Sequence, residues 1–337
     1  MAYDSFYLYS NYMVSKIKNF VFDSVKTSLG IYWTLLRIVV PVMIVVRIGI
    51  GFGLHIQLAK LVAPFMSILD LPPETSLVLV TTFVAGMYGG ATVLAAMLTG
   101  LDMTVAQATV LTSIMVVAHA LPMEQQIISR ARVRLIFATL IRITTALFLG
   151  WVLHLVYTSF GLLQTPLVVA WAPDTQIDAP WLIWLQNTAI SFFYIFWVIL
   201  FLIFVLRLFD ITGATRLITR ALAPFLSIMG ISKDATSITM TGVLLGMMFG
   251  GGLILREAQS GKLGHRTVFQ SLVLMSICHS LIEDTLFALI LGGHISGVLF
   301  ARLVLVVIVM VLVNKLIRTV PESLFYRFCY RLPEQTK

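Results

Sequence analysis

Apolar stretches approaching or reaching membrane-spanning length alternate with short polar breaks along the whole chain. Residues 77–98 carry no charge and residues 298–313 carry only Arg302. A helix crosses a bilayer with roughly 17–25 such residues. Residues 31–52, 76–98, 104–121 and 135–157 form a first set of apolar helices, with Arg37 and Arg47 in the first of them. An amphipathic piece at 54–69 has His55, Gln57 and Lys60 as its polar residues, and the prolines of Leu71-Pro72-Pro73-Glu74 separate it from the span beginning at residue 76. Gly86-Met87-Tyr88-Gly89-Gly90 interrupts the second helix, and Pro122 stops the third. Residues 124–134 are polar. A second set comes in the same order at 181–209, 237–255, 267–282 and 296–316, with an amphipathic piece at 212–229.

The order repeats because the chain is duplicated. Ala63-Pro64-Phe65-Met66-Ser67-Ile68 returns 160 places on as Ala223-Pro224-Phe225-Leu226-Ser227-Ile228. Gly86-Met87 returns as Gly246-Met247, His119 as His279 and Arg142 as Arg302, all at that offset. A gap-free duplication inside an apolar chain is the mark of membrane transporters built from two related halves.

Composition sharpens this reading. The 337 residues are 59% hydrophobic and 11% charged, where a soluble domain carries about 25% charged residues. The expected fold class is all-α: a polytopic membrane protein of two inverted-topology repeats with re-entrant hairpins and amphipathic interfacial helices. A β-barrel would alternate polar and apolar residues over about 10-residue segments, and this chain does not. The net charge of +8 sits beside apolar segments, where it sets orientation and calls for no nucleic acid. Lys16, Lys18 and Lys26 mark the N-terminal segment and basic residues mark the tail, whereas the connector 162–180 holds Asp174 and Asp178 and no basic residue. The positive-inside rule then puts both termini in the cytoplasm and the connector outside. Each half crosses an odd number of times, so the halves are inverted. Three crossings per half suffice if one helix pair dips in and returns, and the polar breaks put those hairpins at 104–129 and 267–292. Five crossings per half is the alternative.

The candidate chemistry is what stays polar in both copies. Ala118-His119-Ala120-Leu121-Pro122-Met123-Glu124 matches Cys278-His279-Ser280-Leu281-Ile282-Glu283-Asp284: a histidine, a leucine two places on and an acid at the fifth. An ionisable group at bilayer depth costs roughly 2.5–3.5 kcal/mol on insertion scales, so a duplicated pair points to a wet cavity. His119, Glu124, His279, Glu283 and Asp284 are the candidate substrate- or ion-binding residues. Histidine beside carboxylate suits proton coupling, and it also suits a divalent metal. Arg142 and Arg302, each inside the last helix of its half, are supporting charges for those acids or clamps for an anionic solute. Gly86, Gly89, Gly90, Gly246, Gly250 and Gly251 either pack helices closely or mark unwound backbone beside the passage. The two cysteines, Cys278 and Cys329, form no CxxC. No Gly-x-Ser-x-Gly, metalloprotease or Walker pattern is present, so neither an enzyme nor a resident cofactor is expected.

The Ala-Pro-Phe amphipathic segment, the Gly-Met-x-x-Gly span and the His-x-Leu hairpin together resemble the Gate, or nucleoside-recognition, domain family. That domain occurs in bacterial spore-maturation membrane proteins, and it is similar to gate segments of ferrous-iron and concentrative nucleoside transporters. The resemblance divides the chain into an amphipathic cytoplasmic segment (1–30), a first repeat (31–160), an extracytoplasmic connector (161–190), a second repeat (191–320) and a cytoplasmic tail (321–337). It implies an inverted-repeat transporter core in a bacterial inner membrane, as a homo-oligomer. The function expected is a proton- or ion-coupled secondary transporter for a small polar or anionic solute, nucleosides included. A divalent-metal permease and a non-transporting scaffold are the alternatives.

Overall fold

The computed structural model describes residues 2–53, 57, 64–98, 101–169 and 180–332. The expectations for His55, Lys60, Asp174 and Asp178 fall outside them. The described chain is helical throughout, with only two isolated β-bridges. Among the described residues, six helical segments are long and apolar enough to cross a membrane. The protein is therefore an all-α polytopic membrane protein.

Two long helices, α1 (Ala2–Gly51) and α7 (Trp181–Thr212), form a scaffold, and the amphipathic piece expected at 212–229 is the helix α8 (Ala214–Ile228), which follows α7 after Gly213. Helices α1 and α7 run antiparallel. Phe20 meets Phe204 with ring centroids 4.9 Å apart, and the Tyr32 hydroxyl donates to Phe192 O at 3.1 Å. At the far end Arg47 lies over the Trp181 ring at 5.4 Å. Both helices run unbroken through the boundaries expected at residues 30 and 190, α1 continuing through Gly30, with no proline or cap at either point.

Two helix pairs come next, α2 (Thr75–Ala85) with α3 (Met87–Met97), and α9 (Lys233–Leu245) with α10 (Met247–Gln259). Each folds back at one glycine in a conformation that side-chain-bearing residues avoid: Gly86 at φ 87°, ψ −179° and Gly246 at φ 104°, ψ 161°. Gly90 packs onto Thr82 and Gly250 onto Gly242, close enough to exclude any Cβ.

The next elements are spans broken in the middle. Helices α4 (Val105–Val117) and α5 (Leu121–Arg130) follow each other along one line, with α6 (Leu135–Ser159) packed lengthwise against both. Helices α11 (His265–Ile277) and α12 (Leu281–Ile290) repeat this, followed by a π-helical turn (Ser296–Ala301) and α13 (Arg302–Thr319). A short helix, α14 (Glu322–Phe328), is the last helix of the described chain.

Three crossings per half result, with a different hairpin from the one placed by sequence. Residues 104–129 and 267–292 do not double back. Ala118 stays extended at φ −125°, ψ 94°, and Pro122 sits in the first turn of α5, where its missing N–H is no loss. The chain therefore resumes its course across the bilayer, and the reversal falls to Gly86 and Gly246 instead.

The repeats are inverted, as contacts at the two ends show. The start of α4 pairs with the connector, Val105 N–H donating to Thr165 O at 3.0 Å. The start of α11, its counterpart, lies at the opposite end, where His265 stacks on Tyr330 at 4.6 Å. The residues after α5 meet that same C-terminal segment, with Arg331 N–H donating to Arg132 O at 2.8 Å. The residues after α12 return to the start of α4, with His294 N–H donating to Thr109 Oγ1 at 2.9 Å. The broken spans are mostly buried, while α1, α6, α7 and α13 turn large apolar side chains such as Trp33, Ile136, Phe201 and Val304 outward, as lipid-facing helices do.

Candidate functional site

Breaking the α4–α5 and α11–α12 spans at their midpoints exposes backbone carbonyls that a continuous helix would have used. The break residues repeat closely: Ala120 at φ 46°, ψ 36° and Ser280 at φ 45°, ψ 40°, each a left-handed residue starting the next helix. The hairpin tips close onto these breaks. Ala120 N–H donates to Thr82 O at 3.0 Å, and a Cβ on Gly86 would touch that of Ala120 at 3.5 Å. A Cβ on Gly246 would lie 2.8 Å from Ser280 Oγ. Four discontinuities thus meet at one place between the inverted halves.

His119 and His279 project into it and face each other, Nε2 to Nε2 at 3.0 Å. Each Nδ1 lies against a main-chain carbonyl, Met115 O at 3.1 Å and Met275 O at 2.8 Å. A carbonyl only accepts, so both Nδ1 atoms carry hydrogen. In the neutral rings both Nε2 atoms are then bare lone pairs. Glu124 Oε1 adds a third acceptor, 3.0 Å from His279 Nε2 and 3.4 Å from His119 Nε2. Asp284 Oδ2 is a fourth, 3.9 Å from His119 Nε2. Lone pairs this close repel unless a cation sits among them.

The arginines are fully buried and each holds its break together. Arg142 donates from Nε to Val117 O at 2.8 Å, from Nη2 to His119 O at 2.9 Å and from Nη1 to Glu124 Oε2 at 2.5 Å. Arg302 repeats only one of these bonds, from Nη2 to His279 O at 3.0 Å, and its Nε and Nη1 make none among the described residues. The matched acid in this half is an aspartate, one methylene shorter than Glu124, and its Oδ2 also lacks a hydrogen bond among the described residues. The two half-sites are therefore unequal: one is closed by an ion pair and the other is open.

Glu283 stands apart from the cluster and accepts a hydrogen bond from the Tyr88 hydroxyl at 2.9 Å. Of the glycines expected to unwind the helices, only Gly86 and Gly246 lie outside helical geometry. Gly89, Gly90, Gly250 and Gly251 are within α3 and α10 because their role is contact: Gly90 and Gly250 form the hairpin crossings, and a Cβ on Gly251 would lie 2.6 Å from Ile127 of the other half. The site opens into a cavity of about 460 Å³ lined by both histidines, Glu124, Glu283, Asp284 and Tyr88. Ile31, Thr34, Leu35 and Val39 of α1 form part of its wall. Sequence reading missed these four, and an ordinary apolar helix face carries no signal that would have found them.

A protein of Bacillus subtilis (strain 168) described as "Uncharacterized membrane protein YvoD" is 22% identical over 280 residues, covering 80% of this chain and 86% of that protein. No family model and no solved structure matches the chain. The relative and the six apolar spans agree on a multi-pass membrane protein.

Proposed function

We propose that this protein is a cation-coupled secondary transporter for a small polar solute, built from two inverted Gate-type repeats, with both termini on the cytoplasmic face of a bacterial inner membrane. The observation that carries this reading is the convergence of four buried acceptor atoms, one set from each repeat, beside a cavity that both repeats line. Such a cluster demands a cation, and the cavity beside it has room for a small solute. Its position at the junction of inverted repeats, among interrupted helices, is where secondary transporters place substrate and coupling ion. A scaffold would seal this interior. Here the cavity reaches both histidines instead, which favours passage.

The test is uptake. Liposomes carrying the purified protein and an imposed proton or sodium gradient are given radiolabelled nucleosides and small carboxylates. At least one should accumulate above protein-free liposomes, and the H119A/H279A protein, eluting as folded, should lose that uptake. No accumulation of any of them, or undiminished uptake by the double variant, defeats the proposal.

A further inference from the structure

We infer that the cation held between the repeats is a divalent first-row transition metal of the zinc or cobalt class, with His119, His279 and Glu124 as a preformed face and Asp284 as the closing ligand. This rests on the transporter reading only for its consequence, since the site stands on its own geometry.

In a tetrahedral site with metal–ligand bonds of about 2.0 Å, ligand atoms lie about 3.3 Å apart. The three edges joining His119 Nε2, His279 Nε2 and Glu124 Oε1 measure 3.0, 3.0 and 3.4 Å. Asp284 stands further out, its Oδ2 3.9 Å from His119 Nε2, and a ligand atom of each of His119, His279 and Asp284 lies within 4.8 Å of the others. That oxygen has no hydrogen bond among the described residues although the residue is only 7% exposed. As the fourth corner, that oxygen would gain from a bound ion the partner it lacks.

The surroundings fit a metal as well. Both imidazoles donate Nδ1–H to a backbone carbonyl, which fixes the ring and turns the Nε2 lone pair toward the ion. Arg142 holds Glu124 by Oε2, leaving Oε1 for the metal. Imidazole with carboxylate selects borderline metals over calcium or magnesium, which take oxygen ligands.

Protein stripped with chelator and kept in detergent is titrated with Co²⁺. We expect one equivalent per chain with the visible absorption of tetrahedral cobalt, displaced by Zn²⁺. H119Q and H279Q should abolish the signal, D284N should weaken binding at least tenfold, and H154Q, beside Asp70 and remote from the cluster, should change nothing. If the glutamine variants fail to elute as folded protein, D284N decides. No bound ion, or binding unchanged by D284N and the histidine variants, overturns the inference and leaves the cluster to a proton. Uptake by chelator-stripped liposomes at the full rate rules out the metal in transport while sparing the transporter reading. A stoichiometric ion without any uptake does the reverse.

Discussion

Arg142→Met will destabilise the folded protein by about 3–5 kcal/mol, the cost of leaving one half of a buried ion pair uncompensated. Glu124 then keeps a buried charge with no guanidinium, and Val117 O and His119 O lose their donors at the break between α4 and α5. Arg302→Met, at the matching position, will cost clearly less, roughly 1–3 kcal/mol, because it removes one hydrogen bond to His279 O. It also takes away two buried N–H groups that make no bond among the described residues. Thermal unfolding of the two variants in the same detergent checks this. The Arg142 variant should melt well below the Arg302 variant, and equal losses would mean that Arg302 pairs with Asp284 as tightly as Arg142 does with Glu124.

That inequality shows where sequence reading stops. The duplication is plain in the sequence, and with the charge pattern it implies inversion. From those two facts it follows that matched mid-span groups come face to face, as His119 and His279 do. Asp284 standing where the first repeat has Glu124 is visible too, but its consequence is not. Whether one methylene opens a gap depends on how the backbone on either side of Cys278 and Ser280 is held. The different placement of the hairpins has a similar cause. Gly86 and Pro122 both interrupt helices, and local propensity cannot say which interruption reverses the chain. The reversal is decided by the contact of Gly90 with Thr82, eight residues away, while Pro122 merely begins a new helix on the old course. A change from polar to apolar composition is not a helix stop, and α1 continues through residue 30.

The hairpin contacts carry the second large effect. Gly250→Ala will destabilise by about 1–3 kcal/mol, the usual cost of forcing a methyl group into a filled space. Its Cβ would fall on the Cα and N of Gly242 and within 2.9 Å of Met275 Sδ. The first two are backbone atoms of the facing helix, so no side-chain rotation makes room, and α9 must move away from α10. That movement reaches the site, because Gly246 at the tip of this hairpin abuts Ser280, next to His279. Gly252→Ala, two residues on, is the control. Nothing lies within 4 Å of its Cβ position, and replacing a glycine inside a helix by alanine gains roughly 0.5–1 kcal/mol. The two substitutions add the same methyl group to the same helix with opposite expected signs. Thermal unfolding should show Gly250→Ala melting lower than the parent and Gly252→Ala at or above it. If Gly250→Ala matched the parent, α9 and α10 would not cross at Gly242 and Gly250, and the hairpin would lose its physical basis.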